Sequence, residues 1–409
     1  MLDHTEGGSI VIQNATLLGN VLLQGRPSAP DPTWVNQIDV MMTAPGGTGP
    51  CSSAAVTTNQ WGQFSIDDIL TGQYDILVKG RRSLANARTV TLTSGSNSVN
   101  FGVLMEGDAT EDNIVTILDF SVLSSSFNKC SGDPGYDDRA DFNRSGCVTL
   151  ADFSLLATNF GTQGDSLQQC EIPQMIRDQE AVSQGPTNTN ELTPDQNNWP
   201  VIFALLPSTI TVLAGSTFEV PVQIQAGPQY VDGVAAYLNF DPELLTVGHV
   251  STAPSSSVFP IILENQFDNN AGTIDVALGL LPPTPYASGT ITLAVVSLVA
   301  PEERVIGSSF SFSVALPRRT DAAFMGDSVF GGAIDTIVRT YVVDFDGDGQ
   351  VTVNDLASIA VCWSRPIGGV CGEIYDLDYD GDIDITDVMT VAGHWGSSAN
   401  SHGSKANSP

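Results

Sequence analysis

Residues 344–355 read DFDGDGQVTVND, and residues 376–387 read DLDYDGDIDITD. In each stretch, oxygen-bearing side chains stand at positions one, three, five, nine and twelve of a twelve-residue loop. Asp344, Asp346, Asp348, Thr352 and Asp355 fill the first loop; Asp376, Asp378, Asp380, Asp384 and Asp387 fill the second. Gln350 and Asp382 hold the seventh position, which contributes a main-chain carbonyl, and Gly349 and Gly381 hold the sixth, where the chain must turn sharply. Calcium takes roughly 6–8 oxygen ligands, and alternate residues of such a loop can all aim at one point. Without a cation the clustered carboxylates would repel one another. An acidic surface turn would explain one DxDxDG, but two complete loops starting 32 residues apart point to calcium.

The spacing is that of the EF-hand loop, with Asp in place of Glu at the twelfth position, so the loop closes with a shorter arm. Apolar runs follow each loop, Leu356 to Trp363 and Val388 to Trp395, and read as short helices. One loop and one helix, duplicated, resembles the type I dockerin family over residues 341–397. The resemblance implies a calcium-folded module, two ions per unit, that docks on a cohesin domain in an extracellular polysaccharide-degrading assembly. In that family, partner choice is usually carried near loop positions ten and eleven. Here those are Val353-Asn354 and Ile385-Thr386, which depart from the common Ser-Thr pair and leave the partner's identity open.

Residues 105–163 repeat the theme. DATEDNIVTILD places Asp108, Thr110, Asp112, Thr116 and Asp119 on the ligand positions, with Ile114 seventh and Asn113 replacing the sixth-position glycine. Asn visits left-handed geometry more readily than most residues. DFNRSGCVTLAD places Asp141, Asn143, Ser145, Thr149 and Asp152, with Cys147 seventh. The helices FSVLSSSF and FSLLATNF follow as near-copies, and this unit too resembles a dockerin. Its second loop has two carboxylates, so weaker calcium binding is expected there. The bland reading of the unit is a decayed repeat that folds without metal. Up to four calcium ions are expected in all.

Elsewhere the pattern is β. GNVLLQG, QIDVMMTA, AAVTTNQWGQFSI, QYDILVKG and TVTLTSGSNSVNFG give alternating strands about every dozen residues across 9–104. This segment resembles carboxypeptidase regulatory-like, prealbumin-type sandwiches, which implies a spacer or adhesive role. Some relatives carry a Lys–Asn isopeptide crosslink; Lys79 is the segment's only lysine, and a strand-end lysine is ordinarily solvated. Residues 200–340 return to strands in STITVLAGSTFEVPVQIQA, VDGVAAYLNFDPELLTV, GTIDVALGLL and GTITLAVVSLVA. Their order resembles the cohesin family, the bland alternative being another immunoglobulin-like sandwich. Residues 164–199 read as a polar linker and 398–409 as a disordered tail. The expected fold is therefore mainly β and multidomain: two β-sandwiches plus two small α-helical calcium-loop modules.

With 46 acidic against 15 basic residues and a net charge of −31, nucleic acid and anionic membranes are poor partners. No apolar run is long enough to span a bilayer, and MLDHTEGGSI shows no signal peptide. Cys51, Cys130, Cys147, Cys170, Cys362 and Cys371 form no CxxC pair. Cys362 and Cys371 could staple the spacer between the C-terminal loops, and Cys147 could pair with Cys130, although six cysteines allow 15 connectivities. Cysteine usage and calcium loops together suggest a secreted or cell-surface protein.

The sequence offers no catalytic motif. His4, His249, His394 and His402 are isolated, and Glu219, Asp241, Glu243, Glu264 and Asp275 are scattered, with no spacing that pairs them. The expected function is a secreted, non-catalytic assembly protein using cohesin–dockerin recognition, with partner modules on other chains or on itself. Two alternatives stand beside it: the non-catalytic end of a larger glycoside hydrolase, or a polysaccharide-binding surface protein. The last would need an aromatic strip, for which Tyr230, Tyr237 and Tyr286 are the only tyrosines in the second sandwich.

Overall fold

The computed structural model describes residues 14–47, 50–167, 200–365, 367–369 and 371–398. Cys170, most of the 164–199 linker and nearly all of the tail lie outside them. The chain forms two compact units. One comprises residues 1–194 with 279–286 and 322–328; the other holds 195–278, 287–321 and 329–409.

In the first unit, β1 (Asn14–Leu23), β2 (Gln37–Thr43), β3 (Ser52–Thr57), β4 (Gln63–Leu70), β5 (Gly72–Gly80), β6 (Asn86–Leu92) and β7 (Gly95–Leu104) make two sheets. Their orders are β4-β1-β7 and β3-β2-β5-β6. β1 runs antiparallel to β4 and parallel to β7, while β2 is antiparallel to both neighbours, with Val40 opposite Val78. Period-two alternation sends Leu17, Val21, Ile38, Val40, Ile76, Val78 and Phe101 into one core. Gly19 is required in β1: a Cβ there would lie 2.0 Å from the Phe64 ring.

Beyond β7 come α1 (Ile117–Ser126) and α2 (Leu150–Asn159), each preceded by one of the inner loops. These loops and helices are fused to the first sandwich by hydrogen bonds that the sequence did not advertise. Asn159 Nδ2 donates to Gln24 Oε1 and to Glu106 O, both at 2.6 Å, and Ala85 N donates to Asn113 Oδ1 at 2.8 Å. Residues 164–167, read as the start of a linker, belong to the same fold. Asp165 accepts from Ala87 N at 2.8 Å, and Leu167 packs on Met41 and Leu77.

The second sandwich is built from β8 (Val201–Leu205), β9 (Thr209–Leu213), β10 (Thr217–Gln225), β11 (Gly233–Phe240), β12 (Thr246–Ser251), β13 (Ile261–Asp268), β14 (Thr273–Gly279), β15 (Thr290–Val299) and β16 (Ser308–Phe312). A short hairpin, β17 (Asp321–Phe324) and β18 (Asp327–Ser328), precedes β19 (Phe330–Ile334) and β20 (Thr336–Tyr341). One sheet has the order β12-β15-β10-β8-β19, the other β13-β14-β11-β16-β20-β9. β8 with β19 and β9 with β20 are parallel pairs, so the first and last strands close the sandwich in both sheets. Phe203, Val222, Leu238, Val276, Leu293, Val296 and Phe310 are fully buried. The architecture is mainly β in several sheets.

Past β20 lie α3 (Val353–Ala360) and α4 (Ile385–Gly393), each preceded by one of the C-terminal loops. Their core joins Val351, Ile359, Leu377, Ile383 and Val391 to the Cys362–Cys371 disulfide.

Candidate metal centres

All four loops share one backbone course. The sixth position has positive φ in each: Asn113 (71°), Gly146 (90°), Gly349 (85°) and Gly381 (99°). So does the fourth: Glu111 (68°), Arg144 (56°), Gly347 (73°) and Tyr379 (62°). The sixth-position glycine was legible in the sequence, whereas the fourth position, glycine only once, was not. Where it is not glycine, its side chain reaches beyond the loop and anchors it. Glu111 accepts from Arg81 Nε at 2.6 Å, and Arg144 Nη1 donates to Val35 O and Asn36 Oδ1. Tyr379 donates to Thr340 O at 2.5 Å, with the Arg304 and Arg339 guanidinium carbons 4.6 and 5.1 Å from its ring centre.

Positions nine and twelve of each loop form a capping box on the following helix. Asp119, Asp152, Asp355 and Asp387 each accept from the N-cap N–H, at 2.7, 2.8, 2.8 and 2.9 Å. The other carboxylate oxygen turns back to the start of the loop, where it accepts from the N–H of Thr110, Asn143, Phe345 or Leu377. The short Asp arm at position twelve thus serves the helix and the loop together. The eighth position is the loop's apolar anchor: Val115, Val148, Val351 and Ile383 are all buried.

Among the described residues, carboxylates converge in three trios, all in the C-terminal loops. Asp344, Asp346 and Asp355 form one; Asp376, Asp378 and Asp387 another; Asp382, Asp384 and Asp387 a third, with the oxygens of each trio within 4.8 Å of one another. Asp348 and Asp380 stay at the loop surface, accepting from Gln350 N and Asp382 N. Burial raises the Asp376 and Asp378 carboxyls, with repulsion from Asp387 adding to it. Asp380 is the largest influence raising Asp382. Asp376 Oδ2 accepts from Gly381 N at 3.2 Å, while its Oδ1 is buried with no hydrogen-bond partner. An orphaned carboxylate oxygen beside two more acids fits a hard cation.

The inner loops differ from each other. Asp108 Oδ2 accepts from Asn113 N at 3.0 Å, and its Oδ1 is a buried orphan, as at Asp376. Burial lifts Asp119 well above the usual carboxylate range, with Asp108 and Asp112 repelling it. Asp112 is pushed up to about 6 by burial and by Asp108. Behind Asp108 stands Lys79, which is 1 % exposed rather than solvated and donates to Asp108 Oδ2 and, at 2.7 Å, to Ser83 O. Neighbouring Glu106, paired with Arg26 at 3.0 Å, is pushed up to about 7 by burial.

In the 141–152 loop backbone amides meet the first-position carboxylate, as Gly347 N and Gly349 N meet Asp344, and a tyrosine joins them. Asp141 accepts from Tyr136 Oη, Ser145 N and Gly146 N, while Ser145 Oγ donates to the seventh-position carbonyl of Cys147. Asn143 Oδ1 accepts from Ser145 N, and Cys130 is bonded to Cys147. This loop holds its shape through hydrogen bonds and a disulfide.

Two of the scattered acids do meet. Arg318 Nη2 lies 2.5 Å from Asp275 Oδ1, Tyr237 Oη donates to Glu264 Oε2 at 3.2 Å, and burial followed by Asp275 raises Glu264. Sequence spacing gave no reason to pair them; the side-by-side strands β13 and β14 supply it. Tyr237 is buried and Tyr286 lies edge-on to Phe324, so these rings do not form a flat strip.

The C-terminal helices leave apolar side chains uncovered. Val353 and Ile385, and Trp363 and Trp395, occupy equivalent places in the two repeats and are 63, 48, 45 and 56 % exposed; Met389, 61 % exposed, stands where the first repeat has Ala357.

No protein-family model and no curated protein matches the chain. Solved structures do. They include a type II cohesin-X-dockerin complex from Acetivibrio cellulolyticus (19 % identity, 38 % of this chain, 99 % of that chain, TM-score 0.31). A non-cellulosomal cohesin from the archaeon Archaeoglobus fulgidus matches at 18 % identity over 36 % of this chain and 92 % of its own (TM-score 0.28). CaCohA2 from Clostridium acetobutylicum matches at 18 % over 35 % and 92 % (TM-score 0.28). At these scores the likeness does not decide what this chain does.

Proposed function

We propose that residues 341–397 are a calcium-dependent docking module of the dockerin type, in a secreted, non-catalytic assembly protein. The observation that carries this reading is the coupling of metal loop to helix. The same twelfth-position carboxylates that join the acid trios also cap α3 and α4. A calcium ion neutralising Asp344, Asp346 and Asp355, and another neutralising Asp376, Asp378 and Asp387, would therefore fix both helices. Those helices present a duplicated apolar face, the kind of surface that marks a protein partner. The partner suggested by the sequence is a cohesin-type sandwich on another chain or another copy, and an extracellular polysaccharide-degrading assembly is the setting that reading implies. The first inner loop, 108–119, would hold a further ion through the orphaned Asp108 oxygen.

The test is calorimetric mixing of the full chain with a separately prepared cohesin-type sandwich, residues 200–340 included, in calcium and then in chelator. Binding in calcium that disappears in chelator, and disappears again in Met389→Ser, supports the reading. Binding indifferent to calcium would overturn it.

A further inference from the structure

The two inner helices are near-copies in sequence, yet their serines behave differently. In α2, Ser154 Oγ turns back to Leu150 O within its own helix at 2.8 Å, and Leu150 is 65 % exposed. α1 is covered almost all round: Ile117, Phe120, Val122, Leu123 and the serines at 121, 124 and 126 are all buried. Ser124 Oγ donates to Leu280 O at 2.8 Å, and Gly326 N donates to Ser121 Oγ at 2.7 Å. These partners lie 156 and 205 residues away along the chain. Both sit in the short segments, 279–286 and 322–328, that pack with residues 1–194 in one compact unit.

The approach is close enough to require glycine on the far side. A Cβ on Gly279 would lie 2.3 Å from Phe120 Cε1, and one on Gly326, whose φ is +91°, would lie 2.9 Å from Val122 Cγ2. A serine hydroxyl buried without a partner costs free energy, and Gly326 N–H and Leu280 C=O help Ser121 and Ser124 to suit a covered face.

We infer that α1 is a docking face already occupied by this chain's own 279–286 and 322–328 segments. The inner calcium-loop unit thus serves as an internal clasp, joining parts of the chain on either side of residues 168–199, and is closed to outside partners. This holds whether or not the C-terminal unit docks as proposed above.

The experiment cuts the clasp's covalent backup. A specific protease site is placed within residues 180–190 of the full chain, and the cleaved protein is weighed by native mass spectrometry. The two pieces are expected to stay together as a one-to-one particle. Ser124→Arg should weaken their association at least about tenfold, equivalent to about 1.4 kcal/mol. Pieces that separate while each keeps its circular dichroism would overturn the inference, and so would a two-to-two particle, which would place the contact between copies. Amide exchange in the uncut chain gives a second readout. Gly326 N–H should be protected, and Ser121→Ala should speed its exchange while leaving β1, β2 and β5 protected. Free exchange at Gly326 in the unaltered chain would equally overturn it.

Discussion

Replacing Lys79 by methionine keeps the apolar stem and removes only the ammonium. Lys79 and Asp108 are 1 and 0 % exposed, so the variant strands a carboxylate that water cannot reach and whose Oδ1 already lacks a partner. Breaking a buried pair on one side typically costs 3–5 kcal/mol. Against domain stabilities of about 5–15 kcal/mol, that is a large share. The pH dependence has a definite sign. Burial already raises Asp108 above its unfolded value, and losing Lys79 raises it further. The folded variant then holds a proton more tightly than the unfolded chain. Its deficit is small at pH values below the unfolded carboxylate range and grows as pH rises through the folded pKa. Urea unfolding of the full chain in chelator, at pH 4.5 and 7.5, measures this. Asp108→Asn in the Lys79→Met background should recover much of the loss. A cost below about 1 kcal/mol at pH 7.5, or one that does not vary with pH, would mean that Lys79 does not hold a buried Asp108 charge.

Cys362 and Cys371 close a loop with a sequence separation of 9, so Cys362→Ser with Cys371→Ser should lower the C-terminal unit's stability by roughly 2–3 kcal/mol, read from thermal unfolding in calcium. Tyr379→Phe removes the hydrogen bonds to Thr340 O and Val305 O and should cost about 0.5–1.5 kcal/mol in the same assay, while leaving calcium stoichiometry unchanged. Trp395→Ala and Met389→Ser alter exposed positions, so each should change stability by less than about 0.5 kcal/mol while reducing partner capture in a pull-down.

The backbone course of the loops at 344–355 and 376–387 was legible because their acidic positions, turn glycines and capping residues all depend on residue type at fixed local spacing. Strand alternation exposed both sandwiches for the same reason. What stayed hidden depends on chain folding over long separations. Lys79 reads as a solvated strand end until β5 is seen to deliver it beneath Asp108, 29 residues later. Ser121 and Ser154 occupy equivalent places in matching helices, and nothing local says that one meets Gly326 while the other bonds its own helix. In sequence Asn113 is a tolerated stand-in for glycine, and its φ agrees, but its side chain also ties Ala85 to Asp165. At Asp141 the loop pattern does not announce the hydrogen bond from Tyr136 Oη.

On the proposed function, Asp344 and Asp376 each organise a calcium ion that sets the helix behind it. Calorimetric titration of the full chain with calcium, beside Asp344→Asn and Asp376→Asn, tests it most directly. At least two ions per chain are expected, with each variant losing one and helical circular dichroism falling with it. Calcium heats that are absent, or that survive both substitutions unchanged, would contradict it.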